Sequence, residues 1–139
     1  MENRKKEFST VEKESVSHGQ SQRLVGLKEA VAKTKERICY SDFGLYDRPI
    51  AAELVRILAE AACLPVGCLV RIGGAPMPAS LVQEVYELVG FEQVEYVIKK
   101  FRLVQYEIRC PKAYLRTALY NSVFEMETAL ENEINSEGM

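Results

Sequence analysis

The sequence predicts a compact, mainly α-helical domain of four to five helices with one short, irregular β-hairpin near residues 69–78. Three observations predict this. Apolar residues recur at helical spacing in runs between residues 47 and 133. Prolines and glycines punctuate those runs where helices begin and end. One segment alone, Cys68–Pro78, alternates apolar and polar or small residues around a Gly-Gly pair.

Residues 1 to about 20 read as a flexible polar tail. Ser9, Thr10, Ser15, Ser17, Gly19 and Gln20 are interspersed with Lys and Glu, and only Phe8, Val11 and Val16 offer apolar anchors. Such a composition buries too little surface to offset the entropy of ordering. Leu24, Leu27, Val31 and Ile38 then recur at near-helical spacing on a charged background. This stretch reads as a loosely attached helix or a linker, so the division is 1–37 as tail or linker, helical from about residue 24, and 38–133 as the domain. Residues 134–139 form a frayed end.

The first firm helix spans about 47–62. Asp47 suits the N-cap and Pro49 the first turn, where its missing N–H costs nothing. Ile50, Leu54, Ile57, Leu58 and Ala61 form its apolar face, and Pro65 and Gly67 stop it. In the hairpin, Val70 and Ile72 alternate, Gly73-Gly74 supplies a tight turn, and Pro76 and Pro78 confine the return arm to an edge. A third helix, about 79–89, places Leu81, Val82, Val85, Leu88 and Val89 inward, with Gly90 as its stop. A fourth starts near Phe91 or Glu92 and buries Val94, Val97, Ile98 and Phe101. Residues 103–108 alternate like a strand but equally continue that helix. The last helix begins at Pro111, buries Tyr114, Leu115, Ala118, Leu119 and Val123, and fades through 125–133, where its acidic end opposes the helix dipole.

Composition narrows the function. The chain has 139 residues, which is one domain, with 47% hydrophobic residues and a net charge of -2. That balance argues against coating nucleic acid by bulk charge. No apolar run approaches the roughly 18–20 residues that cross a bilayer, and the basic start lacks an apolar segment behind it, so the expected location is the cytoplasm, with no membrane partner. The four cysteines, 39, 63, 68 and 110, include no C-x-x-C pair; they read as buried, reduced thiols, with no metal or cofactor expected. The single histidine, His18, lies in the tail and cannot be held beside a nucleophile. Gly73-Gly74 lacks the context of a phosphate loop. The carboxylates fall on solvent faces of helices. No catalytic centre is expected.

What remains is a cationic and aromatic surface. Lys99, Lys100 and Arg102 end one helix, and Arg109, Lys112 and Arg116 surround the start of the next. If folding brings the two groups together, they make a basic face interleaved with Tyr106 and Tyr114, suited to phosphate contact and base stacking. The bland reading is that these cations only solvate helix surfaces beside Glu92, Glu95 and Glu107.

The stretch 38–121 resembles the C-terminal domain of RepA-type replication initiators of Gram-positive plasmids and mobile elements. The matching words run in order: Ile38-Cys39-Tyr40, Val70-Arg71-Ile72-Gly73-Gly74, Pro78-Ala79 and Val82. Val94-Glu95-Tyr96-Val97, Ile108-Arg109, Tyr114-Leu115 and Ala118-Leu119-Tyr120-Asn121 follow. The resemblance implies a DnaD-like helical domain that engages host replisome proteins (helicase, helicase loader or primase), with weak contact to DNA as a second expectation. It does not imply origin reading, because the family's N-terminal winged-helix domain has no counterpart in this sequence. The terminal Trp of the DnaD-type motif is also missing, and the chain reads as a stand-alone relative or a piece of a longer initiator. The alternative is a regulatory adaptor that self-associates through the apolar face of residues 24–38. The oligomeric state is left open by the sequence.

Overall fold

The computed structural model describes residues 26–137, with side chains through residue 128. The expected tail, with His18, lies outside the described residues. The described residues are mainly helical, with five helices and one two-stranded antiparallel sheet. α1 occupies residues 26–37, followed by α2 (Arg48–Ala62), β1 (Leu69–Ile72), β2 (Ala75–Pro78), α3 (Ala79–Tyr86), α4 (Phe91–Val104) and α5 (Pro111–Glu137). Single 3-10 turns at Tyr40–Asp42 and Gln105–Glu107 link α1 to α2 and α4 to α5.

One core runs through all of these elements. Leu54, Leu58, Val82, Val94, Val97 and Leu119 are buried at its centre, which matches the apolar spacing of α2, α4 and α5. The α4–α5 pair forms its most extensive helix contact, with Phe101 and Tyr114 at 6.0 Å between ring centroids. Phe43 stacks on Phe91 at 4.6 Å and pins the loop before α2 to the start of α4.

Several expectations are corrected. Residues 26–37 pack on the body: Thr34 and Ile38 are buried and Val31 lies against the core. The Arg37 guanidinium donates from Nε to the Val89 carbonyl (3.0 Å) and from Nη2 to the Tyr86 carbonyl (3.1 Å). The boundary at residue 38 therefore falls inside the packed unit, and Val31 and Ile38 of the apolar face expected to dock a second copy are turned inward. α3 ends at Tyr86 rather than about Val89, with those two carbonyls capped by Arg37. Leu81 and Leu88 are exposed, while Tyr86 takes a buried position. Gly90 is the N-cap of α4 rather than the stop of α3; its N–H donates to Gln93 Oε1 at 2.9 Å.

Asp47 sits at the N-cap of α2 but makes no capping hydrogen bond: its backbone is helical (φ -90°, ψ -16°) rather than extended, and its Oδ1 accepts from Arg102. Residues 103–108 are not a strand: α4 runs to Val104 and a 3-10 turn follows. α5 continues to Glu137 without fading at 125–133, and no proline or glycine occurs between residues 112 and 137 to end it. The cysteines are free thiols, but Cys39, Cys63 and Cys110 are exposed and Cys68 is half-buried, so they are not core residues. No helix among the described residues is long and apolar enough to cross a membrane.

The hairpin has the expected form. Gly73 and Gly74 adopt φ +62° and +84°, a two-residue turn in which both central residues need the left-handed region. Leu69 pairs with Pro78, Val70 with Met77, Arg71 with Pro76 and Ile72 with Ala75. Val70 and Ile72 face the core, and Leu69 and Arg71 face outward.

Candidate functional site

The hairpin is tied down at its tip. The Gly73 N–H donates to Thr117 Oγ1 on α5 at 2.9 Å, and Arg71 Nη2 donates to the Gly74 carbonyl at 2.8 Å. Between β1, the C-terminal half of α2 and the first turns of α5 lies an open cleft of about 280 Å³. Ile57, Ala61, Leu64 and Val70 make its apolar floor, and Leu69 stands exposed at its edge. Arg71, Lys112 and Arg116 line it as cations, against the single carboxylate of Glu60.

Each of these residues is placed by local structure. Pro111 opens α5 in its first turn, so Lys112 and Arg116, one turn apart, project along one face into the cleft. Lys112 Nζ donates to Glu60 Oε1 at 3.1 Å, and Arg56 Nε donates to the other Glu60 oxygen at 3.4 Å. The Tyr86 hydroxyl closes the back of the cleft by donating to the Arg116 carbonyl at 2.7 Å. Burial raises the Tyr86 phenol above its ordinary range, and nearby Arg116 pulls it back only in part, so Tyr86 stays a neutral donor. A smaller hollow of about 100 Å³ between α1 and α3 borders Arg37, whose donors already serve two carbonyls.

The two groups of cations singled out by sequence do not form one face. Lys100 lies 3.0 Å from Glu125 on α5 and over the Tyr96 ring at 5.2 Å. Arg102 turns to the start of α2, where it reaches Asp47 Oδ1 from both Nε and Nη2, donates to the Tyr46 carbonyl and stacks 3.7 Å over the Tyr46 ring. Lys99 is exposed on α4, and Arg109 is exposed before α5. Tyr106, 95% exposed, stands on the 3-10 turn between them. Only Lys112 and Arg116 of the set share a concave site. They do so with Arg71 and Glu60, which sequence reading did not connect to them. The alternation of β1 marks Arg71 as outward-facing, but no periodicity tells which helix end lies beside it.

No protein-family model, no curated protein and no solved structure matches this chain.

Proposed function

We propose that this chain is a non-catalytic interaction module in replication initiation of a plasmid or mobile element, acting in the cytoplasm by recruiting host replisome proteins. Weak, sequence-tolerant contact with DNA accompanies that role in this reading. The replication part rests on the resemblance of residues 38–121 to RepA-type C-terminal domains. The observation that carries the binding part is the open cleft, with an apolar floor and three cations against one carboxylate. Apolar area gives such a site affinity, and the uncompensated cations select an acidic partner. The residues Val70-Arg71-Ile72-Gly73-Gly74, central to the resemblance, build the hairpin beside this cleft.

The test uses the full chain with purified helicase, helicase loader and primase in fluorescence-anisotropy titrations, alongside a DNA gel shift at low salt. Binding to one of the three, weakened about tenfold or more by Arg116→Glu, is the expected result. Any DNA shift should disappear steeply as salt rises. No binding to any of the three, together with no shift at low salt, removes the reading.

A further inference from the structure

The edges of the hairpin differ in a way that bears on what enters the cleft. In an antiparallel pair, residues alternate between those bonded across the ladder and those whose N–H and C=O point away from it. The tight turn makes Ile72–Ala75 a bonded pair, and the Ala79 N–H donating to the Cys68 carbonyl (2.9 Å) marks another. Val70–Met77 lies between them as the third. The outward-pointing pairs are therefore Leu69–Pro78 and Arg71–Pro76. On β2 both outward residues are prolines, which have no N–H, so that edge cannot be extended. On β1 they are Leu69 and Arg71, each with an N–H and a C=O directed away from β2. Among the described residues, nothing beyond the hairpin hydrogen-bonds to these groups. The open edge is also the one that lines the cleft, through Leu69, Val70 and Arg71.

We infer that β1 is a docking edge for an extended acidic peptide, which adds as a third strand and alternates aliphatic side chains with Asp or Glu. This names the partner segment for the cleft and rests on reading it as a protein-docking site. Main-chain bonds to Leu69 and Arg71 supply affinity, and the alternating side chains supply specificity. One set of side chains enters the floor of Ile57, Ala61 and Leu64. The acidic set meets Arg71, Lys112 and Arg116.

The chemistry favours a peptide over a phosphate ligand. The Gly73 N–H is already committed to Thr117, so the turn offers no backbone cradle for phosphate. The Tyr86 hydroxyl at the back of the cleft already donates to the Arg116 carbonyl. At about 280 Å³ the cleft lies near the lower limit of ligand pockets, suiting a few side chains.

The experiment titrates the ¹⁵N-labelled full chain with a blocked heptapeptide alternating Val or Leu with Glu or Asp. Controls are a version with Lys for each acid, a version N-methylated at alternate residues, and inorganic pyrophosphate. Expected are amide shifts at Leu69, Val70, Arg71 and Ile72, with slowed hydrogen exchange at Leu69 and Arg71. The Lys version should not bind, and N-methylation or Arg71→Glu should weaken binding at least tenfold, with circular dichroism showing the variant folded.

Absence of shifts at β1 overturns the inference, as does equal binding of the N-methylated peptide or the same shifts with pyrophosphate. Peptide binding at β1 without any replisome protein binding would leave the docking edge standing and remove only the replication partner. Replisome binding that is indifferent to Arg71→Glu, with no peptide bound, would do the reverse.

Discussion

Arg37, Arg48 and Arg102 turn their guanidinium groups inward on neighbouring segments, whereas Arg71, Lys112 and Arg116 gather around an open cleft. The first set bonds backbone carbonyls: Tyr86 and Val89 for Arg37, Phe43 and Ser41 for Arg48, and Tyr46 for Arg102. These cations close helix ends and loops and hold α1, α2 and α4 in place. The second set satisfies its donors only in part, with one carboxylate among three cations. Side chains of the same charge thus serve folding in one region and, in the proposed reading, recognition in the other. The difference lies in what the fold places within reach of each side chain.

Substitutions in each set of cations separate the two roles. Reversing both cleft cations, Lys112→Glu with Arg116→Glu, should weaken partner or acidic-peptide binding by about a hundredfold, or about 2.7 kcal/mol. The same variant should lose no more than about 1 kcal/mol of unfolding free energy, because the Lys112–Glu60 pair it breaks is solvent-exposed. A large loss of stability would move these residues into the structural set. Arg37→Met should show the opposite pattern. Two carbonyls lose a charged donor, which costs about 1–2 kcal/mol in urea unfolding after allowing for solvent access, while binding per folded molecule is unchanged.

Arg102→Ala should destabilise by about 1 kcal/mol through loss of the Asp47 pair and the Tyr46 stack, again without effect on the cleft. The smallest effect is on pH dependence. Burial would raise the Glu125 carboxyl, but hydrogen bonds from Lys100 and Tyr96 outweigh it and hold the carboxyl below its ordinary value of 4.5. Its folded pKa is therefore lower than its unfolded one, so its contribution is complete above 4.5 and is lost as pH falls through the folded value. Comparing urea midpoints of the wild type and Lys100→Met from about pH 6 to about pH 3 should show a shallower acid limb in the variant, by a few tenths of a kcal/mol.

Much of the architecture was legible because it is local. Turn glycines with positive φ, prolines at helix starts and the inward spacing of α2, α4 and α5 all follow from the chemistry of adjacent residues. The errors occur where a distant partner decides. Asp47 has the residue type of a cap, yet Arg102, 55 positions away, takes its carboxylate. α3 stops at Tyr86 with its end capped by Arg37, from a helix 49 positions earlier that reads by itself as a loosely attached helix or linker. Cys39 and Cys63 have apolar neighbours in sequence but face solvent.

Local sequence alone makes the chain a mainly helical domain with one Gly-Gly hairpin, since capping, turn and periodicity signals act within a few residues. It also marks Lys112 and Arg116 as neighbours on one helix face. Long-range packing brings Arg71 and Glu60 to them around a cleft and draws Lys100 and Arg102 into ion pairs elsewhere. It also decides that the open edge of the hairpin, with no proline to block it, is the edge that borders that cleft. Side-chain reach and the packing of segments tens of residues apart set those outcomes, and no short-range pattern encodes them.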